Sequence, residues 1–341
     1  MLYAKNEQGI YINARNAKRS STYFCPSCLQ SVIVKRGTLK AAHFAHKKRG
    51  CIAFSEGETT EHLSGKELLA SWCQQFQCQV ELEAYQEHLK QRPDVLCHFE
   101  NYQLALEFQC APLSLNEMVQ RSYGYQNHGF KYLWILGRRH YPQYKLTQQT
   151  AQFIRWHKNL GFYLIFLDTA YQRFEVLYGI QMADLLPVKY LRFFAVDMVE
   201  LAHFLHTDHH IDYFALTDLE KRRQRTNIVK KMHNYDRQIY QIQNLCYENH
   251  LSFIEVAESV LTSTYFPPIY RQAAFIWKVK CYLASLKTKR TLTPLQVLNH
   301  HNLFALPFVC LDRITSREWD SFQKQMAKID FTTDYRYNKL Q

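Results

Sequence analysis

The pattern of apolar and polar positions changes several times along the chain. Met1–Asn13 alternates loosely, as two short strands turning at Asn6–Gly9 would. Ser31–Lys35 and Thr38–Ala42 repeat that period around Gly37 and predict a further hairpin. Over Glu58–Gln77 the period becomes helical: Leu69, Trp72, Cys73 and Phe76 share one face, and Thr59 or Thr60 is placed to cap the start. Alternation returns in Arg92–Gln109, which reads as two strands joined by a polar connection containing His98, Glu100 and Asn101. On the second strand Leu104, Leu106 and Phe108 leave one face, and Glu107 and Gln109 the other.

Ser114–Gln126 predicts a second helix, with Ser114 as cap and Glu117 at the capping-box position. The continuous apolar run Lys131–Gly137 predicts a buried strand. A helix over Gln148–Asn159, a strand over Phe162–Leu167 and a short edge strand over Phe174–Leu177 would complete an α/β layer. Glycine is absent after Gly179 and helical spacing takes over. Helices are expected at Val196–His206, Thr226–His250 as one long amphipathic element, Ser252–Thr262, Arg271–Leu286, Pro294–His300 and Ser316–Ala327. These patterns divide the chain into a small β module at 1–55, an α/β domain at 56–187 and an all-α basic domain at 188–341, with a boundary near Pro187.

Composition sharpens this picture. The chain has 341 residues, of which 47% are hydrophobic and 15% aromatic, so it folds rather than staying disordered. Its 42 basic and 30 acidic residues leave a formal charge of +12, which favours a polyanion such as nucleic acid. The sequence has no apolar run near membrane-spanning length and no secretion signal at its start, so a cytoplasmic protein without membrane insertion is expected. Most of its ten cysteines stand singly, which suits reduced thiols and one metal site rather than a disulfide framework.

That metal site is expected near the start. Cys25 and Cys28 form a Cys-x-x-Cys knuckle, and His43, His46 and Cys51 follow, so four of these five would hold a structural zinc ion. Lys40 and Lys47–Arg49 lie beside it and could touch phosphates. A second site is expected at the strand pair. Asp94 opens the first strand and a hairpin can bring it beside Glu107. Two carboxylates on a rigid sheet suit Mg2+ or Mn2+, which polarises a phosphodiester and activates water. Arg121 could clamp a phosphate and Tyr123 and Tyr125 could stack on bases, Arg138, Arg139 and His140 would extend a basic rim, and Lys221–Arg223, Arg225, Lys230 and Lys231 could follow a phosphate backbone. The cluster His206, Asp208, His209, His210 and Asp212 reads as a polar helix end rather than a metal site.

The order helix, hairpin, helix, strand resembles the PD-(D/E)XK nuclease core, with Arg92-Pro93-Asp94 as its first acid and Glu107-Phe108-Gln109 as its second. The CPxC knuckle, the HFAH element, the ExxHLxxK helix, RPDV, EFQ, the R-x-Y-x-Y helix and KYLWIL, in that order over residues 20 to 140, resemble the competence protein CoiA family of naturally transformable Gram-positive bacteria. The resemblance implies a restriction-endonuclease-like core between a zinc-ribbon-like module and a helical domain. It gives Glu61, with Glu58 as competitor, a supporting role at the metal or its waters. His62 and Lys66 would reach the edge of the site. Gln109 stands where the pattern more often has lysine, and a neutral amide orients water but does not act as a base. Lys66 could supply the missing charge. The expected function is a metal-dependent nuclease or DNA-processing factor acting on incoming, single-stranded DNA during transformation, with recombination proteins as possible partners. The alternative is a catalytically silent DNA-binding or protein-interaction scaffold.

Overall fold

The computed structural model describes residues 1–26, 28–37, 42–47, 59–76, 78–287 and 302–328. The chain packs as two compact units that do not follow a single cut in the sequence. Met1–Tyr141, Leu164–Leu177 and Arg192–Thr207 form the first, and Pro142–Tyr163, Tyr178–Leu191 and Asp208–Gln341 the second.

The first unit begins with an antiparallel sheet of β1 (Tyr3–Lys5), β2 (Tyr11–Asn13), β3 (Tyr23–Phe24), β4 (Ser31–Lys35) and β5 (His43–His46), in the order β2-β1-β3-β4-β5. Its small core is built on Ala4, Ala14, Tyr23, Val32 and Phe44, with the Tyr23 and Phe44 rings 5.0 Å apart. Arg36 ties the loop between β2 and β3 by donating to the carbonyls of Ala14, Arg15 and Ala17.

A larger mixed sheet follows. Its strands are β6 (Gln79–Leu82), β7 (Val95–His98), β8 (Gln103–Gln109), β9 (Lys131–Leu136), β11 (Gly161–Asp168), β12 (Arg173–Gln181) and β13 (Lys189–Ala195), in the order β13-β12-β11-β9-β8-β7-β6, and β10 (Arg155–His157) pairs with the start of β11. β6, β7 and β8 are antiparallel neighbours, whereas β8 with β9 and β9 with β11 are parallel. Helix α1 (Thr60–Cys73) packs on β6, β7 and β8, and α2 (Leu115–Asn127) on β9. α1 starts at Thr59, whose side chain accepts from His62 N, and α2 starts at Ser114 with the reciprocal Ser114/Glu117 capping box.

One glycine fixes how closely α1 meets the sheet. A Cβ at Gly65 would lie 2.1 Å from the Phe108 ring, so a hydrogen at that position lets the helix rest directly on β8. The contact sets the height of His62 and Lys66 above the strand ends.

Several expected elements are corrected. The helix over Gln148–Asn159 is one turn, α3 (Gln148–Ala151), followed by β10. The strand at Phe174–Leu177 is longer and does not form the edge, because β13 pairs outside it. β13 also places a strand inside the stretch read as all-helical. After α4 (Met198–His206), the single helix over Thr226–His250 is two, α5 (Asp218–His233) and α6 (Arg237–Glu248). Tyr235 turns to φ 51°, and Asp236 caps α6 by accepting from Gln238 N and Ile239 N, so the apolar period runs through a break. Helices α7 (Phe253–Val260), α8 (Ala274–Lys287) and α9 (Leu311–Met326) complete the second unit, and the expected helix at Pro294–His300 lies outside the described residues. No helix among the described residues is long and apolar enough to cross a membrane.

Candidate active site and metal centre

The candidate active site lies where β8 ends and β7 begins. β7 pairs with β8 through Val95 opposite Leu106, so Asp94, just before β7, falls at the level of Glu107. α1 brings His62 and Lys66 to the same place. His62 Nε2 donates to Asp94 Oδ2 at 3.1 Å, Phe108 N donates to the same oxygen at 2.9 Å, and Lys66 Nζ lies 3.9 Å from Oδ1. Burial alone would raise the Asp94 pKa. The charges of His62, Lys66 and Arg121 and the His62 hydrogen bond outweigh it and hold the carboxyl below the usual carboxylate range.

Glu107 is enclosed, 1% exposed, and held from α2. Arg121 Nη2 donates to Oε2 at 2.5 Å and the Tyr125 hydroxyl donates to Oε1. Burial pushes its carboxyl up to about 7, with Arg121 opposing and the Asp94 charge reinforcing the shift. The two acids therefore sit in opposite electrostatic states. Asp94 is held ionised and Glu107 is poised to release a proton near neutrality.

Sequence reasoning missed Glu83. It lies just after β6 at φ 53°, is 1% exposed and forms an ion pair with Lys66, itself fully buried. Its second oxygen accepts from Leu2 N at 3.0 Å and lies 3.8 Å from Arg92 Nη1. Burial would raise the Glu83 pKa, but the charges of Lys66 and Arg92 hold it well below its ordinary value. Glu83 thus joins the N-terminal chain, α1 and the Arg92-Pro93-Asp94 segment. Lys66 reaches Asp94 but is anchored by Glu83 and has little freedom to swing.

The remaining expected residues fall as follows. Glu61 Oε1 accepts from Arg138 N at 2.8 Å, so this carboxylate braces the turn after β9. Gly137 makes that close approach feasible, since a Cβ there would stand 3.1 Å from Glu61 Oε1. Gln109 is 8% exposed and its amide donates to the Ala111 carbonyl at 2.8 Å. Tyr123 is open to solvent at 63% exposure, but Tyr125 is fully enclosed. This corrects its reading as a base-stacking residue: its ring belongs to the core with Leu96, Ala105 and Phe130, and its hydroxyl serves Glu107. Arg121 is bound to Glu107 through Nη2, and its side chain stays 31% exposed. His140 is buried against the Ala111 carbonyl and leaves the basic rim to Arg138 and Arg139. Glu58 lies outside the described residues.

Asp94 and Glu107 supply the hard oxygen donors a small divalent cation requires. Each carboxylate retains lone pairs beyond those its protein donors occupy, and among the described residues Asp94 Oδ1 has the 3.9 Å approach of Lys66. The donor set fits the ion.

A separate candidate metal centre lies in the N-terminal sheet. Cys25, Cys28 and His46 bring one ligand atom each within 4.8 Å of one another, with Cys28 Sγ and His46 Nε2 3.2 Å apart. This group could bind a metal ion such as zinc. Desolvation, with neighbouring positive charge, lowers the His46 pKa and favours the neutral imidazole a metal needs. His43 is corrected out of the set. It lies three residues from His46 on β5, and strand alternation sends the two side chains to opposite faces. Cys51, Lys40, Lys48 and Arg49 lie outside the described residues, so the fourth ligand is not identified among the described ones.

A family model described as "Competence protein CoiA, nuclease-like domain" matches residues 58–209, and one described as "Competence protein CoiA, N-terminal domain" matches residues 10–54. The competence protein CoiA of Bacillus subtilis (strain 168) is 37% identical over 116 residues, a match covering 34% of this chain and 31% of that relative. The chain therefore aligns with about a third of the length of the curated relative it matches. No solved structure matches the chain.

Proposed function

The chain belongs to the competence protein CoiA family, and from this premise we propose that it hydrolyses DNA phosphodiester bonds with Mg2+ or Mn2+. The observation that carries the reading is the hairpin register that sets Asp94 level with Glu107, with Lys66 near the first acid and Arg121 bound to the second. The succession α1, β6, β7, β8, α2, β9 supports a restriction-endonuclease-like core.

In this account Asp94 and Glu107 hold the cation, which when bound polarises the phosphate and lowers the pKa of water. His62 and Phe108 N fix the Asp94 carboxylate. Lys66 contributes positive charge from a position set by Glu83, and Arg121 can share its guanidinium between Glu107 and a phosphate oxygen. Gln109 orients water through its amide oxygen, and Glu61 supports the site by bracing the turn at Arg138. A zinc ion on Cys25, Cys28, His46 and a fourth ligand would staple the N-terminal sheet. The biological setting is natural transformation, with single-stranded incoming DNA as substrate and the cytoplasm as location.

A second reading has its own support. Both Glu107 oxygens already accept hydrogen bonds and Gln109 is tied to its own loop, as a silent DNA-binding scaffold that kept the fold would have it. End-labelled single-stranded and duplex DNA incubated with Mg2+, Mn2+ or chelator separates the two. The nuclease reading expects metal-dependent cleavage that Asp94→Asn abolishes. Binding without cleavage in every metal would establish the scaffold.

A further inference from the structure

Helices α5 and α6 of the second unit carry a surface that the candidate active site does not use. The solvent face of α5 shows Arg222, Arg223 and Lys230. Arg223 and Lys230 are seven residues apart, two helical turns, so they form one stripe about 10 Å long. α6 repeats the spacing with aromatic rings. Tyr240 and Tyr247 are also seven apart and are 52% and 78% exposed, while Ile239, Ile242 and Cys246 make the buried face.

The turn between the helices adds a third ring. Tyr235 is 82% exposed and has φ 51°, a left-handed conformation at a helix end where glycine is usual. Neither packing nor backbone preference selects tyrosine there. Between Arg222 and Tyr247 the sequence contains a single acid, Asp236, whose carboxylate is taken by Lys231 and the first turn of α6. Arg225 is partly neutralised by Glu258, but Arg222, Arg223 and Lys230 face solvent.

We infer that the exposed positions of α5, α6 and the turn between them bind single-stranded nucleic acid, with Tyr235, Tyr240 and Tyr247 stacking on unpaired bases and Arg222, Arg223 and Lys230 following the phosphates. Exposed rings on α6 and at the turn, with an acid-poor cationic stripe on the neighbouring α5, suit a flexible strand whose bases are free to splay. A duplex offers phosphates but no open base faces, and a basic surface for lipid would not need rings held at a strained turn. The inference goes beyond the nuclease reading and does not require turnover.

The test is fluorescence anisotropy of a labelled twenty-residue oligothymidylate with the full chain in chelator, across a salt series. The parent is expected to bind with affinity that falls steeply with salt. Tyr240→Ala with Tyr247→Ala should weaken binding at least about tenfold without moving the melting midpoint, and the corresponding phenylalanine pair should bind like the parent. Arg223→Gln with Lys230→Gln should lower the slope of log affinity against log salt by about 1.4. Parent affinity in the tyrosine-to-alanine pair, or no oligothymidylate binding by the parent, would overturn the inference.

Discussion

Two clusters of buried charge, one in each unit, differ in how much of their charge is held by ion pairs. In the first unit Lys66 pairs with Glu83 and Asp94, and Arg121 with Glu107; Asp94 and Glu83 are held ionised against the pull of burial, while Glu107 is pushed up to about 7. In the second unit Asp184, Lys278 and Glu318 are each pushed toward the neutral form by burial, which lowers the lysine pKa and raises both acids. Lys278 lies among the rings of Phe266, Trp277 and Phe322, Asp184 Oδ1 accepts from Phe275 N at 3.1 Å, and Glu318 meets the Tyr270 hydroxyl. Charge maintained beside partly open groups, such as Arg121 at 31% side-chain exposure, is available for chemistry. Charge relaxed into an aromatic core is part of the packing.

The largest test of this contrast removes one partner from each cluster. Glu83→Ala leaves Lys66 charged in a dry interior and should cost about 3–5 kcal/mol. Lys278→Met, which removes a group already pushed toward neutrality and keeps its volume, should cost less than about 1.5 kcal/mol. Denaturant unfolding of both variants checks this, and equal losses would erase the distinction.

Gly65→Ala should come next, at about 1–3 kcal/mol, because the new methyl must displace the Phe108 ring or lift α1. The same lift carries His62 and Lys66 away from Asp94, so cleavage should fall further than stability. A variant that melts earlier yet keeps full cleavage would show that the height of α1 is not critical to the site.

A smaller effect appears with pH. Glu107 has its pKa raised to about 7, so between the ordinary glutamate range and that value the folded state binds more protons than the unfolded state. Stability of metal-free protein should therefore decline from about pH 5 to about pH 7 through this group. Asp94, shifted the other way, contributes stability above the ordinary aspartate range that is lost on acidification. Melting midpoints in chelator should show Glu107→Gln gaining on the parent as pH rises through that window. A constant difference would contradict the poised state of Glu107.

How far these features could be read from sequence depends on whether their causes were local. The capping box of α2, the β7–β8 hairpin and the apolar run of β9 are set by neighbours in the chain, and the structure has all three. Cys25 and Cys28 were legible for the same reason, whereas His43 and His46 could be told apart only through strand alternation. The break at Tyr235 was hidden because the apolar period continues across it. β13 was hidden because Lys189–Ala195 acquires its partner from β12 rather than from its own pattern. Glu83 gave no signal at all: in the polar stretch Gln79–Gln91 it looks solvated, and its partners Lys66, 17 positions earlier, and Leu2, 81 positions earlier, are remote in sequence. Gly65 offered a clue, since a glycine inside a predicted helix calls for a close contact. Tyr125 offered none, because its ring lies in a helix whose exposed and enclosed tyrosines alternate.

The smallest structural change concerns the candidate metal centre of the N-terminal sheet. Cys25→Ser and His46→Ala should each lower bound zinc below one equivalent by elemental analysis, and His43→Ala should leave it unchanged. Equal loss in the His43 variant would return that residue to the ligand set.

The most direct measurement is calorimetric titration of Mn2+ into chelator-treated, zinc-loaded protein, comparing the parent with Asp94→Asn and Asp184→Asn. The ionised cluster should bind one ion that Asp94→Asn loses and Asp184→Asn keeps. A parent that takes up no Mn2+, or an Asp94→Asn protein that binds as tightly as the parent, would contradict the assignment of a catalytic metal to this site.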